Sequence, residues 1–286
     1  MKYKEIIKSQ CQKSGNSICM GLDPLLNKIP LDSSPEENIK RFYLEILNEL
    51  MKKNLLPAAV KPNMAFYEGI SIDCLKVLAE IIKAYQSAGV LAVLDAKRGD
   101  IGKTSEAYAK MAFNVYGSDA VTVNPYMGLD SIAPFQKVSE KQGIYVLVRT
   151  SNPSATDFQS LKTQESDRPV YLEVAQKLCE WDDGNLGAVV GATSPGELEA
   201  ILRFWKSQGK EFPCLIPGIS LPGVSGGQGG NIQDVFKAIK NAGGDREYHL
   251  VNSSSGLSYA YEKYTGCKYF EATGNAMSDL LEAGEK

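Results

Sequence analysis

The chain has 286 residues, 43% of them hydrophobic, which is enough to bury a sizeable globular core. Its formal net charge of −3 at pH 7 is nearly balanced and implies no polyanion-binding surface, so nucleic acid is not an expected partner. The sequence shows neither a signal-type N-terminal segment nor an apolar run of membrane-spanning length. We therefore expect no membrane contact and a cytoplasmic location.

The cysteine and histidine content limits the chemistry. The six cysteines lie far apart without a C-x-x-C pair, which indicates reduced thiols and argues against disulfides and against a zinc site. The one histidine, His249, opens the apolar run HLVN, a context typical of a packed side chain, and one imidazole cannot supply a multi-histidine metal site. We therefore expect lysines and carboxylates to carry any acid–base chemistry.

Short apolar runs alternate with helical patterns along the chain. The predicted strands are Ser17–Asp23, Ala58–Asn63, Val90–Lys97, Ala120–Asn124, Ile144–Arg149, Gly187–Gly191, Cys214–Pro217 and His249–Asn252. The predicted helices are Pro35–Lys53, Asp73–Ser87, Thr104–Tyr116, Leu129–Glu140, Arg168–Trp181, Ser194–Gln208, Ile232–Asn241 and Tyr259–Lys263. Because strands separated by helices form parallel βαβ units, the pattern predicts an α/β fold, a (β/α)₈ TIM barrel spanning 1–286 as a single domain. No G-x-G-x-x-G follows the first strand, which argues against a dinucleotide-binding fold.

A charged cluster follows the third predicted strand, in the segment LDAKRGDIG over 94–102. Strand side chains alternate between faces, so Asp95 and Lys97 share one face, and Asp100 follows after a glycine turn. The carboxyl ends of barrel strands are where functional groups collect. The flanking carboxylates favour the ammonium form of Lys97, which suits a proton donor or an electrostatic clamp better than a Schiff-base nucleophile.

Two more charged residues end the neighbouring predicted strands, Asp23 in MGLDP and Lys61 in AAVKPN. This convergence of lysines and aspartates at one barrel mouth predicts a catalytic site, and a structural Asp–Lys–Asp network is the alternative. The carboxylate of Asp95 would repel a bound anion. The site therefore suits a substrate that loses negative charge during the reaction, because the repulsion is relieved at the transition state.

Three loop segments complete the prediction. The glycine-rich segment over 217–230 follows the seventh strand, and exposed backbone N–H groups at this place are the usual phosphate site of the architecture. The segment VNSSSG over 251–256 follows the eighth strand and would add hydroxyls and amides to the same pocket. The long polar loop over Ser151–Ser166 has a length typical of a lid.

The chain resembles the orotidine 5′-phosphate decarboxylases, specifically their longer bacterial-type branch. The resemblance runs over most of the chain and rests on GLDP, VKPNMAFYE, LDAKRGDIGKTSEAYA, DAVTVNPYMG, VLVRTSNP, VVGAT, LIPGI, GGQGG and VNSS, in family order. The D-x-K-x-x-D signature is shared with a wider suprafamily of phosphosugar barrels, whereas its combination with KPNMAFYE and GDIGKT is more specific. The resemblance implies decarboxylation of orotidine 5′-monophosphate to uridine 5′-monophosphate in pyrimidine synthesis, without a metal or an organic cofactor.

The resemblance also implies catalytic roles. It implies that Asp95, Lys97 and Asp100 form a charged array beside the substrate carboxylate, and that Lys61 bridges this array and the ribose. In the family the last aspartate of the array and the threonine four residues on, here Asp100 and Thr104, reach into the partner's site. A homodimer with shared active sites is thereby implied.

The binding residues follow from the same resemblance, with one departure. It implies a ribose contact for Asp23, a pyrimidine contact for Ser151, and a phosphate contact for Gln228 with nearby backbone amides such as that of Gly229. The family pattern after the eighth strand resembles N-S-S-R with a phosphate-binding arginine, and here Ser255 stands at that place. Either the amides and Gln228 hold the phosphate, or another cation reaches it.

The sequence is compatible with two other functions. A magnesium-dependent phosphosugar lyase or decarboxylase of the same suprafamily also uses D-x-K-x-x-D, but such chains are typically shorter and lack KPNMAFYE. A nucleotide-binding barrel without catalysis is the second alternative, motivated by Ser255. A binder has no need of a carboxylate such as Asp95 that repels its ligand, so the charged array argues against it.

Overall fold

The computed structural model describes residues 1–138, 141–222 and 229–285, and its strands close into a parallel barrel. Each strand pairs with the next one in the chain, and the last pairs with the first. The strands are β1 Ile18–Gly21, β2 Ala59–Lys61, β3 Leu91–Arg98, β4 Ala120–Val123, β5 Gly143–Arg149, β6 Leu186–Val190, β7 Cys214–Pro217 and β8 Leu250–Ser253. Every strand overlaps its predicted segment, and the predicted (β/α)₈ TIM barrel is confirmed.

Helices surround the barrel and cover its outer apolar face. They are α1 Tyr3–Ser14, α2 Pro35–Lys52, α3 Met64–Glu68, α4 Ile72–Ser87, α5 Gly102–Lys110, α6 Ala133–Gln136, α7 Val170–Trp181, α8 Pro195–Ser207, α9 Ile232–Asn241, α10 Ser255–Ser258 and α11 Tyr269–Glu285. Their local signals agree with this order. Pro35, for example, follows the cap residue Ser34, whose hydroxyl accepts the N–H of Glu37 and so satisfies a free donor of the first turn.

Three predicted helices are wrong in extent. Over Leu129–Glu140 the chain forms a 3₁₀ segment at Pro125–Ser131 and then the single turn of α6, because Gly128 adopts a left-handed φ of 74° and interrupts the helix. Residues 139 and 140 lie outside the described residues. The Tyr259–Lys263 segment holds only a 3₁₀ turn, and α5 starts earlier than predicted and passes into a π-helical segment that ends at residue 115.

The sequence patterns do not predict α1 at all, and this helix closes the amino-terminal end of the barrel. Its buried side chains Tyr3, Ile7 and Cys11 join one apolar cluster with the inward-facing side chains Cys19, Ala59, Val93, Ala120, Tyr145, Val189, Leu215 and Leu250. The rings of Tyr3 and Tyr145 meet edge to face with centroids 5.9 Å apart. Gly143 permits this packing, because a Cβ there would collide with the Tyr3 ring. Apolar filling at this end leaves the carboxyl end of the barrel for polar groups.

The structure also shows the state of the cysteines and of the one histidine. All six cysteines are free. His249 is fully buried, its Nδ1 accepts the N–H of Cys214 at 3.1 Å, and burial lowers the imidazole pKa to about 4. Within the described ranges, no helix combines the length and the apolar character needed to cross a membrane.

Candidate active site

The carboxyl ends of β1, β2 and β3 bring oppositely charged side chains together at the barrel mouth. The Nζ of Lys61, the last residue of β2, donates to Oδ2 of Asp95 at 2.9 Å. The Nζ of Lys97 donates to Oδ1 of the same carboxylate at 2.7 Å. Asp95 therefore bridges two ammonium groups.

Burial and charge act in opposite directions on this bridge, and charge dominates. Burial alone would raise the pKa of the Asp95 carboxyl, but the ammonium groups of Lys61 and Lys97 outweigh it and hold that pKa well below its usual range. Burial alone would lower the pKa of Lys61, but the carboxylates of Asp95 and Asp23 raise it above its usual range. Asp95 is therefore an anion and Lys61 a cation at neutral pH.

Lys97 stands in an unusual backbone conformation. Its φ is 45°, in the left-handed region that costs a non-glycine residue about 1–3 kcal/mol, and the register of β3 against β4 shifts between Leu94 and Arg98. Simple strand alternation, which the sequence argument assumed, does not extend to Lys97. The bulge turns the side chain so that its ammonium reaches Asp95 while 47% of the side chain stays exposed. Lys97 is the half of the bridge that faces the open mouth.

Asp23 lies in the same mouth directly after β1. Its Oδ1 accepts the N–H of Asn63 at 3.2 Å, which ties the end of β1 to the end of β2. Its carbonyl accepts the hydroxyl of Tyr259 at 2.9 Å. The half-buried carboxylate is thereby held near Lys61, whose pKa it helps to raise.

Asp100 and Thr104 lie outside this cluster within one chain. The Oδ1 of Asp100 accepts the N–H of Ile101 at 2.8 Å, and among the described residues its carboxylate forms no ion pair. Thr104 is exposed in the first turn of α5. One chain therefore assembles only part of the array that the sequence predicts around Lys97.

Ser151 follows β5 and lies against the end of β6. A Cβ on Gly191 would lie 2.7 Å from the Cα of Ser151, so the glycine permits this close approach. The preceding residue, Thr150, is bound twice by Gln159: its N–H donates to Oε1 at 2.9 Å, and its hydroxyl accepts from Nε2 at 2.8 Å. The loop after β5 thus folds back onto its own start and fixes the backbone beside Ser151.

The structure describes the two ends of the glycine-rich loop after β7. The N–H of Gly230 donates to the carbonyl of Gly218 at 2.7 Å, and the N–H of Ser220 donates to the carbonyl of Gly230 at 3.1 Å. Gly229 lies between these contacts and is exposed. Gln228 lies outside the described residues.

The segment after β8 borders this loop. Ser255 is exposed at the first position of α10, and a Cβ on the next residue, Gly256, would lie 3.0 Å from Cγ of Leu221. The Nζ of Lys263 donates to the carbonyl of Pro222 at 2.6 Å. A lysine ammonium therefore stands at the edge of the loop, in a chain that has serine at the expected arginine position.

Sequence reasoning missed Thr122. This residue of β4 is 1% exposed, and its hydroxyl donates to Oδ1 of Asp95 at 2.8 Å. The Oγ1 of Thr122 also accepts the backbone N–H of Lys97 at 3.0 Å. The available signal was one polar residue inside the apolar strand AVTV, a pattern too common to identify a site by itself.

Residues 17–248 match the family model described as the orotidine 5′-phosphate decarboxylase / HUMPS family. A protein of Halobacterium salinarum named orotidine 5′-phosphate decarboxylase is 35% identical over 284 residues, with 99% of this chain and 98% of the relative covered. A protein of the same name from Cupriavidus metallidurans is 39% identical over 264 residues, covering 91% of this chain and 90% of the relative.

Solved structures show the same similarity. Leishmania donovani OMP decarboxylase superposes with a TM-score of 0.76 at 30% identity, covering 100% of both chains. Leishmania donovani UMP synthase superposes with a TM-score of 0.77 at 30% identity and 99% coverage of this chain. The chain spans only 56% of that longer protein.

Proposed function

We propose that the Lys61–Asp95–Lys97 bridge is the catalytic centre of this chain, which belongs to the orotidine 5′-phosphate decarboxylase / HUMPS family and decarboxylates orotidine 5′-monophosphate in pyrimidine synthesis. The observation that carries the proposal is the position of Asp95, a buried carboxylate held ionised by two ammonium groups at the barrel mouth. A site that only bound an anion would gain nothing from such a carboxylate.

The bridge acts in two steps of the reaction, the loss of carbon dioxide and the protonation of the pyrimidine. Beside the bound substrate carboxylate, the negative charge of Asp95 is repulsive, and the repulsion disappears as neutral carbon dioxide leaves. The electron pair of the broken C–C bond stays on pyrimidine C6, where the positive charge of Lys97 stabilises it. The Lys97 ammonium then gives a proton to C6, which forms uridine 5′-monophosphate. Because half of the Lys97 side chain is exposed, the resulting amine regains a proton from water.

Further contacts bind the nucleotide. Asp23 and Lys61, at neighbouring strand ends, contact the ribose, and Ser151 contacts the pyrimidine edge. Gln228 and the backbone amides near Gly229 hold the phosphate. These groups place the scissile carboxylate beside Asp95, and such positioning is a large part of what an enzyme contributes to a unimolecular reaction.

We further propose that the active form is a homodimer in which Asp100 and Thr104 complete the partner's site. Support comes from the carboxylate of Asp100, which forms no ion pair within the described part of the chain, from the exposed position of Thr104, and from a patch of exposed apolar side chains beside α5. The patch consists of Ile101, Tyr126, Met127 and Leu129, which are 54%, 92%, 50% and 41% exposed. The 3₁₀ segment that carries three of them packs against α5. Apolar clusters of this kind mark contact surfaces between proteins.

The extent and location of the protein complete the proposal. One domain over 1–286 agrees with strands and helices that alternate from α1 to α11 in the part of the chain that the structure describes. A cytoplasmic location agrees with six free cysteines, since reduced thiols persist in reducing compartments. Fractionation of the native host would test the location.

The test of cofactor-free decarboxylation is an assay that follows loss of orotidine 5′-monophosphate with a strong chelator present. Among the described residues, no cluster of three or more histidine, cysteine or carboxylate side chains is arranged to hold a metal ion. We expect the same turnover with and without chelator. Activity that disappears with chelator and returns with magnesium would instead favour a metal-dependent reaction of the wider suprafamily.

A further inference from the structure

We propose that Thr122 is a positioning residue that sets both the proton arrangement of Asp95 and the backbone of Lys97. Its hydroxyl oxygen is the point where two contacts meet, one with the Asp95 carboxylate and one with the Lys97 main chain. The inference rests on the proposed roles of Asp95 and Lys97 and adds a residue to which no role has been assigned.

The two hydrogen bonds of Thr122 fix the direction of its hydroxyl proton. A threonine hydroxyl carries one proton and accepts through two lone pairs, whereas a backbone N–H only donates. Because Thr122 Oγ1 accepts the N–H of Lys97 at 3.0 Å, its own proton points to Asp95 Oδ1 at 2.8 Å. Together with the two lysines, Thr122 gives Asp95 a third donor, and hydrogen bonds of this kind are strongest to an ionised carboxylate and so favour that form.

The second contact acts on the backbone. The β-bulge takes the N–H of Lys97 out of the regular ladder, so this donor needs another acceptor. The Thr122 hydroxyl supplies the missing acceptor just where φ is left-handed. On the other side of Lys97, the carbonyl of Arg98 accepts the N–H of Asn124 at 2.7 Å. The guanidinium of Arg98 pairs with the carboxylate of Glu68 at 2.9 Å. The strained residue is thus held from both sides.

Burial separates Thr122 from direct catalysis. With 1% of its surface exposed, it cannot touch a substrate in the barrel mouth. Its inward direction follows from β4, where Ala120, two residues earlier, lies in the barrel-interior cluster and is paired with Val93. Any effect of Thr122 on turnover therefore passes through Asp95 and Lys97.

Three variants test the inference. Thr122→Val keeps the shape and removes the hydroxyl, and Thr122→Ser keeps the hydroxyl. Thr273→Val is the matched control, because Thr273 of α11 is also buried and its hydroxyl donates to main-chain carbonyls, those of Leu257 and Tyr269, rather than to a charged side chain. We expect Thr122→Val to lower kcat by about 10- to 100-fold, the usual effect of losing a hydrogen bond to a charged group, with KM within about threefold. Thr122→Ser and Thr273→Val should keep kcat within about threefold of the wild type.

The split between kcat and KM, with rescue by serine, separates positioning from general stability. Melting temperatures of all variants are measured alongside, and Thr122→Cys replaces Thr122→Val if the valine variant does not fold. A kcat that survives loss of the hydroxyl, a serine variant as slow as the valine variant, or an equal loss in Thr273→Val would each overturn the inference. Lys97→Ala tests the proposed catalytic role separately, so failure of one is distinguishable from failure of the other.

Discussion

Lys61 and Asp95 form a buried ion pair across neighbouring strands, with 2.9 Å between Nζ and Oδ2 and 6% of each side chain exposed. Two charges taken out of water in this way depend on each other, because removing one partner leaves the other desolvated and unpaired. A second pair, between Asp95 and Lys97, shares the same carboxylate. Asp95 is thus expected to stabilise the barrel mouth, in addition to the catalytic role proposed for it.

We expect Asp95→Asn to lower the free energy of unfolding by about 3–5 kcal/mol, the usual effect of breaking a buried pair, because Lys61 is left as a buried cation. Urea unfolding at pH 7 measures this. Asp73→Asn is the matched control, since Asp73 pairs with Lys76 on the surface with 65% and 75% of the two side chains exposed, and it should change stability by at most about 1 kcal/mol. An equal effect of the two variants would contradict the structural role of Asp95.

His249 predicts a pH dependence of stability. Burial lowers its pKa from 6.5 to about 4, so the folded state keeps it neutral while the unfolded state takes up a proton below about pH 6.5. The stabilisation is complete above pH 6.5 and is lost as the pH falls toward 4, by about 3 kcal/mol at ~1.4 kcal/mol per pH unit. His249 is the only histidine, so His249→Asn should flatten the profile in this window.

The measurement is the free energy of unfolding of the wild type and of His249→Asn from pH 4.5 to 7.5. The difference between them isolates the imidazole from the carboxylates that also titrate. Asparagine offers an oxygen that can accept the N–H of Cys214, which Nδ1 accepts in the native chain. Parallel profiles for the two proteins would show that His249 does not contribute.

Mixed dimers test the shared site. Asp100→Ala and Lys97→Ala should each be inactive alone, whereas a heterodimer of the two contains one site with both native residues. At random 1:1 exchange, roughly a quarter of wild-type activity should return, because half of the dimers are mixed and each carries one intact site of two. Heterodimers isolated with two affinity tags and found inactive would rule out the shared arrangement.

Ser255 predicts a gain of function. A guanidinium that grips phosphate contributes ~1.5–3 kcal/mol, so Ser255→Arg should raise kcat/KM for orotidine 5′-monophosphate by roughly 10- to 100-fold. The exposed position of Ser255 leaves room for the side chain. Orotidine, which lacks the phosphate, is the control substrate and should gain little. If both substrates gain equally or neither gains, another cation already serves the phosphate, and Lys263→Met is then the variant to test.

Much of the fold and of the charged cluster follows from sequence because both depend on local patterns. Short apolar runs such as GVLAVL define the strands, and the charges at Asp23, Lys61 and Asp95 come directly after those runs. In a parallel barrel all strands end on the same side, so residues at strand ends meet whatever their separation in the chain.

Other features depend on contacts that no local pattern carries. The buried face of α1 is only Tyr3, Ile7 and Cys11 in a polar segment, and its place is set by the barrel interior it fills. The left-handed φ of Lys97 comes from the register of β3 against β4. The role of Thr122 appears only once that register is known, because its two partners lie on the neighbouring strand.

The most direct test of the catalytic centre is the turnover of Lys97→Ala beside Lys83→Ala, which removes an exposed lysine of α4. We expect Lys97→Ala to lower kcat by about 10²–10⁴-fold or more, because it removes a proton donor that also stabilises the carbanion. Uridine 5′-monophosphate should bind within about tenfold of the wild type. Lys83→Ala should match the wild type in both. A Lys97→Ala enzyme whose kcat stays within about tenfold of the wild type would contradict the catalytic role of Lys97.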